Sequence, residues 1–215
     1  MSRPYHQFCG VAKALDLVGE RWTLLVVRDL LLGPRRFGEL ASALVGISPA
    51  LLTTRLVGLV EHGLVERTGS GRGQRYCLTA QGRALEPVVL ALGRFGAQYL
   101  GRPGDDDHLN VRWAMVSLKR RYRGCAHPWR LELDVGGALF ALVLGPRLDV
   151  RDGALPDADA RVSGSPMQVG ALLTGRMDVA QAMDAGLTVG GEPLALRALW
   201  DALDPPLYSM SSAPT

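Results

Sequence analysis

The residues best suited to chemistry lie between positions 48 and 78, and the chemistry they suit is the grip of a polyanion. Thr53, Thr54 and Arg55 follow one another, and Arg67, Arg72 and Arg75 fall in a stretch, 67–75, that holds no acid. Short hydroxyl side chains beside a guanidinium can reach base edges in a major groove. Arginines on a small loop suit phosphates or a narrow minor groove. The same loop, Gly69-Ser70-Gly71-Arg72-Gly73-Gln74, is glycine-rich in the manner of a nucleotide cradle. It lacks the third glycine at the required spacing, carries no Lys-Ser/Thr and joins two strand-like runs instead of opening a helix, so that reading fails.

These side chains need a helix and a hairpin to hold them. Ser48 is a good N-cap and Pro49 suits the first helical position. Leu52, Leu56, Leu59 and Val60 recur at helical spacing, which buries one face and leaves Thr53, Thr54, Arg55 and Gly58 largely on the other. After Gly63, β-rich runs at 64–68 and 75–78 flank the small-residue loop, the pattern of a hairpin. Upstream, the spacing predicts a short amphipathic helix over 9–18 and a second over 21–32, with Trp22, Leu25, Val26, Asp29 and Leu30 as its buried face. Gly33-Pro34 stops the second helix. Residues 35–37 form a link placed to pair with the hairpin as a strand, 37–44 a brief third helix, and 45–47 a turn. A short helix, a turn and a capped helix followed by a hairpin make a winged helix-turn-helix. Downstream, Thr79 caps a helix, and Leu85, Val88, Val89, Leu92, Phe95 and Tyr99 carry an apolar stripe to Leu100, with Pro87 kinking or restarting it. A small domain has little left to cover such a stripe, so burial against a second subunit is expected.

The chain of 215 residues, 47% hydrophobic, is long enough for two modest cores. Its net charge of +3 hides an asymmetry. Residues 1–100 carry 12 Lys/Arg against 7 Asp/Glu, net +5, and residues 101–215 carry 12 against 14, net −2. The cations sit with the suspected DNA reader. The longest apolar runs are only a few residues and the first six have no apolar leader, so no membrane segment and a cytoplasmic location are expected. Abundant Ala, Gly and Arg, with little Lys, point to a bacterial genome of high GC content. Cys9, Cys77 and Cys125 are odd in number and widely spaced, which argues against a disulfide framework or a zinc site and fits a reducing compartment.

At this point the residues carry a resemblance. The run from Cys9 through Arg21-Trp22-Thr23, then Arg28-Asp29-Leu30 to Arg35-Arg36-Phe37, then Gly46-Ile47-Ser48-Pro49 to Arg55-Leu56, and Tyr76-Cys77-Leu78-Thr79 with Gly82, closely resembles the HxlR-type, MarR-like winged-helix transcription regulators. The match covers nearly all of residues 1–100. It implies a dimer with a winged reader in each subunit, the recognition helix in the major groove and the wing against the backbone. Arg36, Ser48, Thr53, Thr54, Arg55, Arg72 and Arg75 occupy the matching DNA-contacting positions. The family's early cysteine matches Cys9. In some members this thiol senses oxidants or electrophiles, and a thiol at a helix N-terminus has its thiolate favoured by unpaired N–H groups. The proline that often follows that cysteine is Gly10 here.

Residues 101–108 form a turn-rich acidic link and the expected boundary. The acids are placed to favour the N-terminus of a helix over 109–121, whose end, Lys119-Arg120-Arg121-Tyr122-Arg123, reads as a solvated cationic cluster. The period then changes to two. Strands are expected over 129–135, 139–144, 148–151, 161–163 and 187–189, with helices over 166–174, 179–185 and 194–203. The fold class is therefore α+β, a winged helix-turn-helix domain over 1–100 followed by a smaller sheet-and-helix domain over 109–203 and a loose tail, 204–215. The element order, with Val162-Ser163-Gly164-Ser165, Leu172-Leu173-Thr174-Gly175 and Leu187-Thr188-Val189-Gly190-Gly191-Glu192, resembles sterol-carrier-protein-2-like domains. That resemblance implies an apolar small-molecule effector, with Trp113, Trp129, Phe140, Met167, Leu172, Met183 and Trp200 as candidate pocket residues.

Three function classes follow. The leading one is a dimeric transcription regulator that binds a double-stranded DNA operator and answers an apolar effector through its second domain. The alternative keeps the DNA reader, senses redox state through Cys9 and leaves the second domain structural. An enzyme is the rival class, but no Ser/His/Asp, Cys/His or paired-carboxylate arrangement stands out, and His6, His62, His108 and His127 sit at expected loops or element ends. No cofactor or metal is expected.

Overall fold

Ser48 starts the helix around which the first half is built. Its Oγ accepts from the Leu51 N–H at 3.2 Å, with Pro49 at the first helical position. The computed structural model describes residues 4–101, 107–108, 110–173 and 177–204, and the chain divides into two units, Met1–Val89 and Leu90–Thr215. The second unit spans the longer stretch of sequence.

In chain order the first unit holds α1 (Gly10–Val18), α2 (Thr23–Leu30), α3 (Phe37–Ala43), α4 (Pro49–Glu61), β1 (Val65–Thr68), β2 (Arg75–Leu78), α5 (Ala80–Arg83) and the first turn of α6 (Glu86–Gly96). Leu52, Leu56 and Leu59 of α4 are fully buried, α4 packs on α2, whose Val26, Val27 and Leu30 are fully buried as well, and α3, with Leu40 buried, packs on α2. Leu25, expected inside, is exposed. Helix α2 starts two residues later than the periodicity suggests, because Trp22 is its N-cap in a left-handed conformation with φ +78°. Strands β1 and β2 pair antiparallel from Val65–Leu78 to Thr68–Arg75. Gly82 sits so close to the hairpin that a Cβ there would meet the Leu64 carbonyl oxygen at 1.9 Å, so only glycine fits where α5 leaves the wing. Pro87 lies in the first turn of α6 and restarts the helix after α5, because a ring without an N–H costs nothing there.

The second unit continues with α7 (Val111–Arg121), β3 (Arg130–Val135), β4 (Ala138–Val143), β5 (Asp149–Asp152), β6 (Ala160–Gly164), α8 (Pro166–Leu173), α9 (Val179–Asp184), β7 (Thr188–Gly191) and α10 (Pro193–Asp201). The strands form one mixed sheet in the order β5-β4-β3-β6-β7. Among the described residues only β3 and β6 run parallel. Leu131, Leu133, Val135, Phe140, Leu142, Val150, Ala160 and Val162 are buried at alternate positions, where α7, α8 and α10 pack on the sheet.

One local expectation gains a detail and another is corrected. Asn110 caps α7 by accepting from the Arg112 N–H, and no acid lies in its first turn. Asp105 and Asp106 lie outside the described residues. The cluster at the end of α7 is only partly solvated: buried Arg120 donates to the Gly93 carbonyl and to Ser117 Oγ, both at 2.7 Å, and Arg121 donates to the Asp204 carbonyl at 2.8 Å, while Arg123 stays exposed. Arg123 donates to the Asp201 carbonyl and pairs with Asp204. A long side chain can satisfy carbonyls that close a chain segment while keeping its stem in the core. Asp204 is thereby tied down. The rest of the expected tail, 205–215, lies outside the described residues.

Candidate nucleic-acid interface

Helix α4 turns its leucines inward, which leaves Thr53 and Thr54 exposed on the opposite side. Each hydroxyl donates to the carbonyl one turn back, Thr53 to Pro49 at 2.9 Å and Thr54 to Ala50 at 3.0 Å. The donor of each threonine is thus occupied, and what faces solvent is an oxygen acceptor and a methyl group. Ser48, also exposed, spends an acceptor lone pair on its cap and keeps its O–H to donate.

The wing is docked to the helix-turn-helix by a bridge that lengthens its sheet. Arg35 and Tyr76 exchange backbone hydrogen bonds, so the link before α3 pairs with β2 as the sequence suggested. Arg36 is exposed at the start of α3, and its backbone N–H donates to Glu39 Oε2 at 2.7 Å. Arg75 donates toward the Pro34 carbonyl at 3.5 Å. Between the start of α3 and the wing lies an open groove of about 500 Å3 lined by Arg36, Phe37, Gly38, Glu39, Gly71, Gln74 and Tyr76. Partial burial pushes the Glu39 carboxyl up, but the Arg36 N–H and the guanidinium groups of Arg35, Arg75 and Arg36 outweigh it, and its pKa lies below the ordinary value. Glu39 thus stays ionised among arginines and spaces them. Arg72 sits in the one-turn helix Gly71–Gly73 at the wing tip, and its side chain lies outside the described set.

Arg55 departs from the expected surface role. Its Nε donates to the Arg21 carbonyl at 2.9 Å and its Nη2 to Glu20 Oε2 at 3.0 Å, with the side chain only 16% exposed. Periodicity places a residue on a helix face but does not say what a long side chain reaches 34 positions away. Sequence reasoning likewise missed Glu39 and Tyr76; the strand pairing expected for residues 35–37 was the signal that pointed toward Tyr76.

Cys9 is the exposed N-cap of α1. Backbone N–H groups of Ala12, then Val11, point at its sulfur and hold the thiol below its ordinary pKa. Cys77 is the opposite case: burial first, and the Glu66 carboxylate next, push it up.

The candidate pocket residues of the second unit do not share one environment. Phe140 and Leu172 are core residues, Trp113, Trp129 and Trp200 are half-buried, and Met167 and Met183 are exposed, at 78% and 48%. Among the described residues no three His, Cys, Asp or Glu side chains gather to hold a metal ion, and no helix is long and apolar enough to cross a membrane.

Residues 17–103 match the HxlR-like helix-turn-helix family. An HTH-type transcriptional regulator of Mycobacterium tuberculosis is 46% identical over 103 residues, which are 46% of this chain and 65% of that protein. The chain thus spans just under two thirds of the length of its mycobacterial relatives. A regulator of Synechocystis is 38% identical over 43% of this chain and 70% of its own length. The crystal structure of quinone-bound YodB from Bacillus subtilis is similar at 33% identity, covering 41% of this chain and 96% of that one, with a TM-score of 0.37. With residues 17–103 matching the family and a Synechocystis regulator 38% identical over 70% of its own length, the chain belongs to the HxlR-like helix-turn-helix family.

Proposed function

We propose that the chain is a transcription regulator that binds double-stranded DNA as a two-fold dimer. The observation that carries this reading is α4, a helix capped at Ser48 that buries its leucines and presents Thr53 and Thr54 beside a wing carrying Arg72 and Arg75. In the proposed complex α4 enters the major groove. Thr53 and Thr54, their donors already used, favour the amino groups of adenine or cytosine and the thymine methyl. Ser48, Arg36, Arg72 and Arg75 hold phosphates and set the register. Dimerisation is supported by apolar side chains left outside: Phe8, Val11 and Leu15 at α1, and Val88, Leu92 and Phe95 on α6, a helix with no buried residue. The test is selection of duplexes from a randomised pool followed by light scattering of the complex. An enriched inverted repeat bound by two chains is expected, and a monomer on a single half-site at full affinity would refute the dimer.

The second unit is proposed to resemble sterol-carrier-protein-2-like domains and to hold an apolar effector. A net charge of −2 beyond residue 100, a mixed sheet with helices on its apolar face and half-buried Trp113, Trp129 and Trp200 support this assignment. A second reading rests on one specific observation, the exposed Cys9 thiol with its lowered pKa, and makes oxidation or electrophile addition at Cys9 the signal. Operator affinity of the Cys9→Ser protein, with and without oxidant, separates the two.

A further inference from the structure

We infer that Arg55 is a positioning residue, which clamps the recognition helix α4 to the turn between α1 and α2 and reads no DNA itself. This rests on the DNA-binding reading above. Arg55 uses two edges of its fork on that turn, Nε on the Arg21 carbonyl and Nη2 on the Glu20 carboxylate, at 2.9 and 3.0 Å. A planar guanidinium holding a carbonyl and a carboxylate together fixes direction as well as distance. The Glu20 charge cancels the cation, so the pair offers a phosphate little net attraction.

The same turn also lies close to the entrance of α4. Trp22 takes φ +78°, costly for a bulky residue, and its ring lies 5.5 Å from the Arg21 guanidinium carbon. The far edge of the indole faces Gly46, where an added Cβ would lie 3.7 Å from Trp22 Cη2. Gly46, at φ +92°, belongs to the turn that delivers the chain to Ser48. Residues 20–22 therefore hold α4 near its middle through Arg55 and lie beside its entrance at Gly46. The turn also ends α1 and starts α2, with the Thr23 N–H donating to the Glu20 carbonyl at 3.1 Å. A displacement of α1, which carries Cys9 and exposed Phe8, Val11 and Leu15 at its N-terminal end and outer face, therefore reaches the reading helix through Arg55.

The experiment compares the wild-type chain with Arg55→Ala, Arg55→Lys, Glu20→Gln and the Glu20→Gln/Arg55→Ala double variant. The probe is a duplex that the wild type enriches from a randomised pool, titrated across a salt series. Arg55→Ala is expected to lose on the order of tenfold in affinity, the size of one charge-assisted hydrogen bond, with an unchanged slope of log affinity against log salt. Glu20→Gln should weaken binding in the same direction. The double variant should lose no more than Arg55→Ala, and Arg55→Lys, which lacks the fork, should recover only part of the loss. A slope lowered by about one in Arg55→Ala, with Glu20→Gln binding as tightly as wild type or tighter, would overturn the clamp and make Arg55 a phosphate contact. So would a lowered melting temperature with unchanged affinity. If Arg55→Ala fails to fold, Glu20→Gln carries the test, since it keeps the bond to the Arg21 carbonyl. A wild-type chain that enriches no duplex defeats the DNA reading itself, an outcome distinct from all of these.

Discussion

Arg35 and Tyr76 donate to each other's carbonyls, at 2.9 Å from Arg35 and 2.7 Å from Tyr76. Both polar groups of the Tyr76 backbone thus point away from β1, and the facing Arg67–Tyr76 pair of the wing is one that exchanges no ladder bonds. Tyr76→Pro therefore removes one bond of the dock and spares the hairpin ladder. The expected cost is about 1 kcal/mol of wing docking, seen as faster amide exchange at Arg75–Leu78 and weaker binding to every duplex alike. Tyr76→Phe, which keeps the N–H and the ring near Arg67, should behave as wild type. A loss confined to one preferred sequence would contradict the assignment of the wing to the backbone.

Base reading and phosphate contact predict different signatures. Thr53→Val and Thr54→Val keep shape and remove the acceptor. Each should cost roughly 1–3 kcal/mol on a selected duplex and little on a scrambled one, if its oxygen meets a base amino group. Arg75→Ala should weaken both duplexes and lower the salt slope by about one. Threonine variants that weaken both duplexes equally would move these residues from reading to general contact.

Much of this interface was legible from residue types. Ser48 and Pro49 announce a helix start because their chemistry is local, and the alternation over 129–135 marks β3 because its partners on both sides bury one face. What was not legible depends on reach and on distant pairing. Nothing near Arg55 reveals that Glu20 and Arg21 wait across a turn, and nothing near Arg120 reveals the Gly93 carbonyl. Leu25 repeats the core spacing of α2 yet is exposed, because period alone does not set how wide a stripe the neighbours cover. The parallel pairing of β3 with β6 joins segments about 30 residues apart, an arrangement that local pattern cannot specify.

Cys9 and Cys77 should separate by alkylation kinetics. With its thiol held down by the Ala12 and Val11 N–H groups, Cys9 should react first with iodoacetamide, its rate rising through a midpoint below that of an ordinary thiol. Cys77, buried and facing Glu66, should label only on unfolding, with its native pKa above the ordinary value. Peptide mapping after short exposures across a pH series checks both. Equal labelling at the two sites would remove the physical basis of a Cys9 sensor.

Glu39 sets the acid limit of the wing dock. Its folded pKa is depressed, so its stabilising contribution is fully present above the unfolded carboxyl value and is lost as pH falls through the folded one. Glu39→Gln should therefore unfold at lower urea than wild type near neutral pH, and the gap should close as the carboxylate protonates. The effect is small because the Glu39 side chain is 38% exposed and solvent screens its partners. A gap that widens on acidification would reverse the sign and exclude the arginine cluster as its cause.

The effector assignment is tested on the full chain by thermal shift with a panel of apolar small molecules. A ligand that binds only the folded protein stabilises it by mass action, about 2.7 kcal/mol at a hundredfold excess over its dissociation constant. Half-buried Trp113, Trp129 and Trp200 should report the same event as a change in intrinsic fluorescence. A ligand that also regulates must bind the DNA-free state more tightly, and a difference of roughly 1–3 kcal/mol between states suffices to release DNA. Trp129→Glu or Met183→Glu should then blunt the thermal shift and the loss of operator affinity together while leaving ligand-free DNA affinity intact. Met183 is already 48% exposed, so a carboxylate there does not strand a charge in the core and a lost response is not simply unfolding. If the panel shifts neither melting nor fluorescence while oxidant alone changes operator affinity, the signal enters at Cys9 and the second unit is structural.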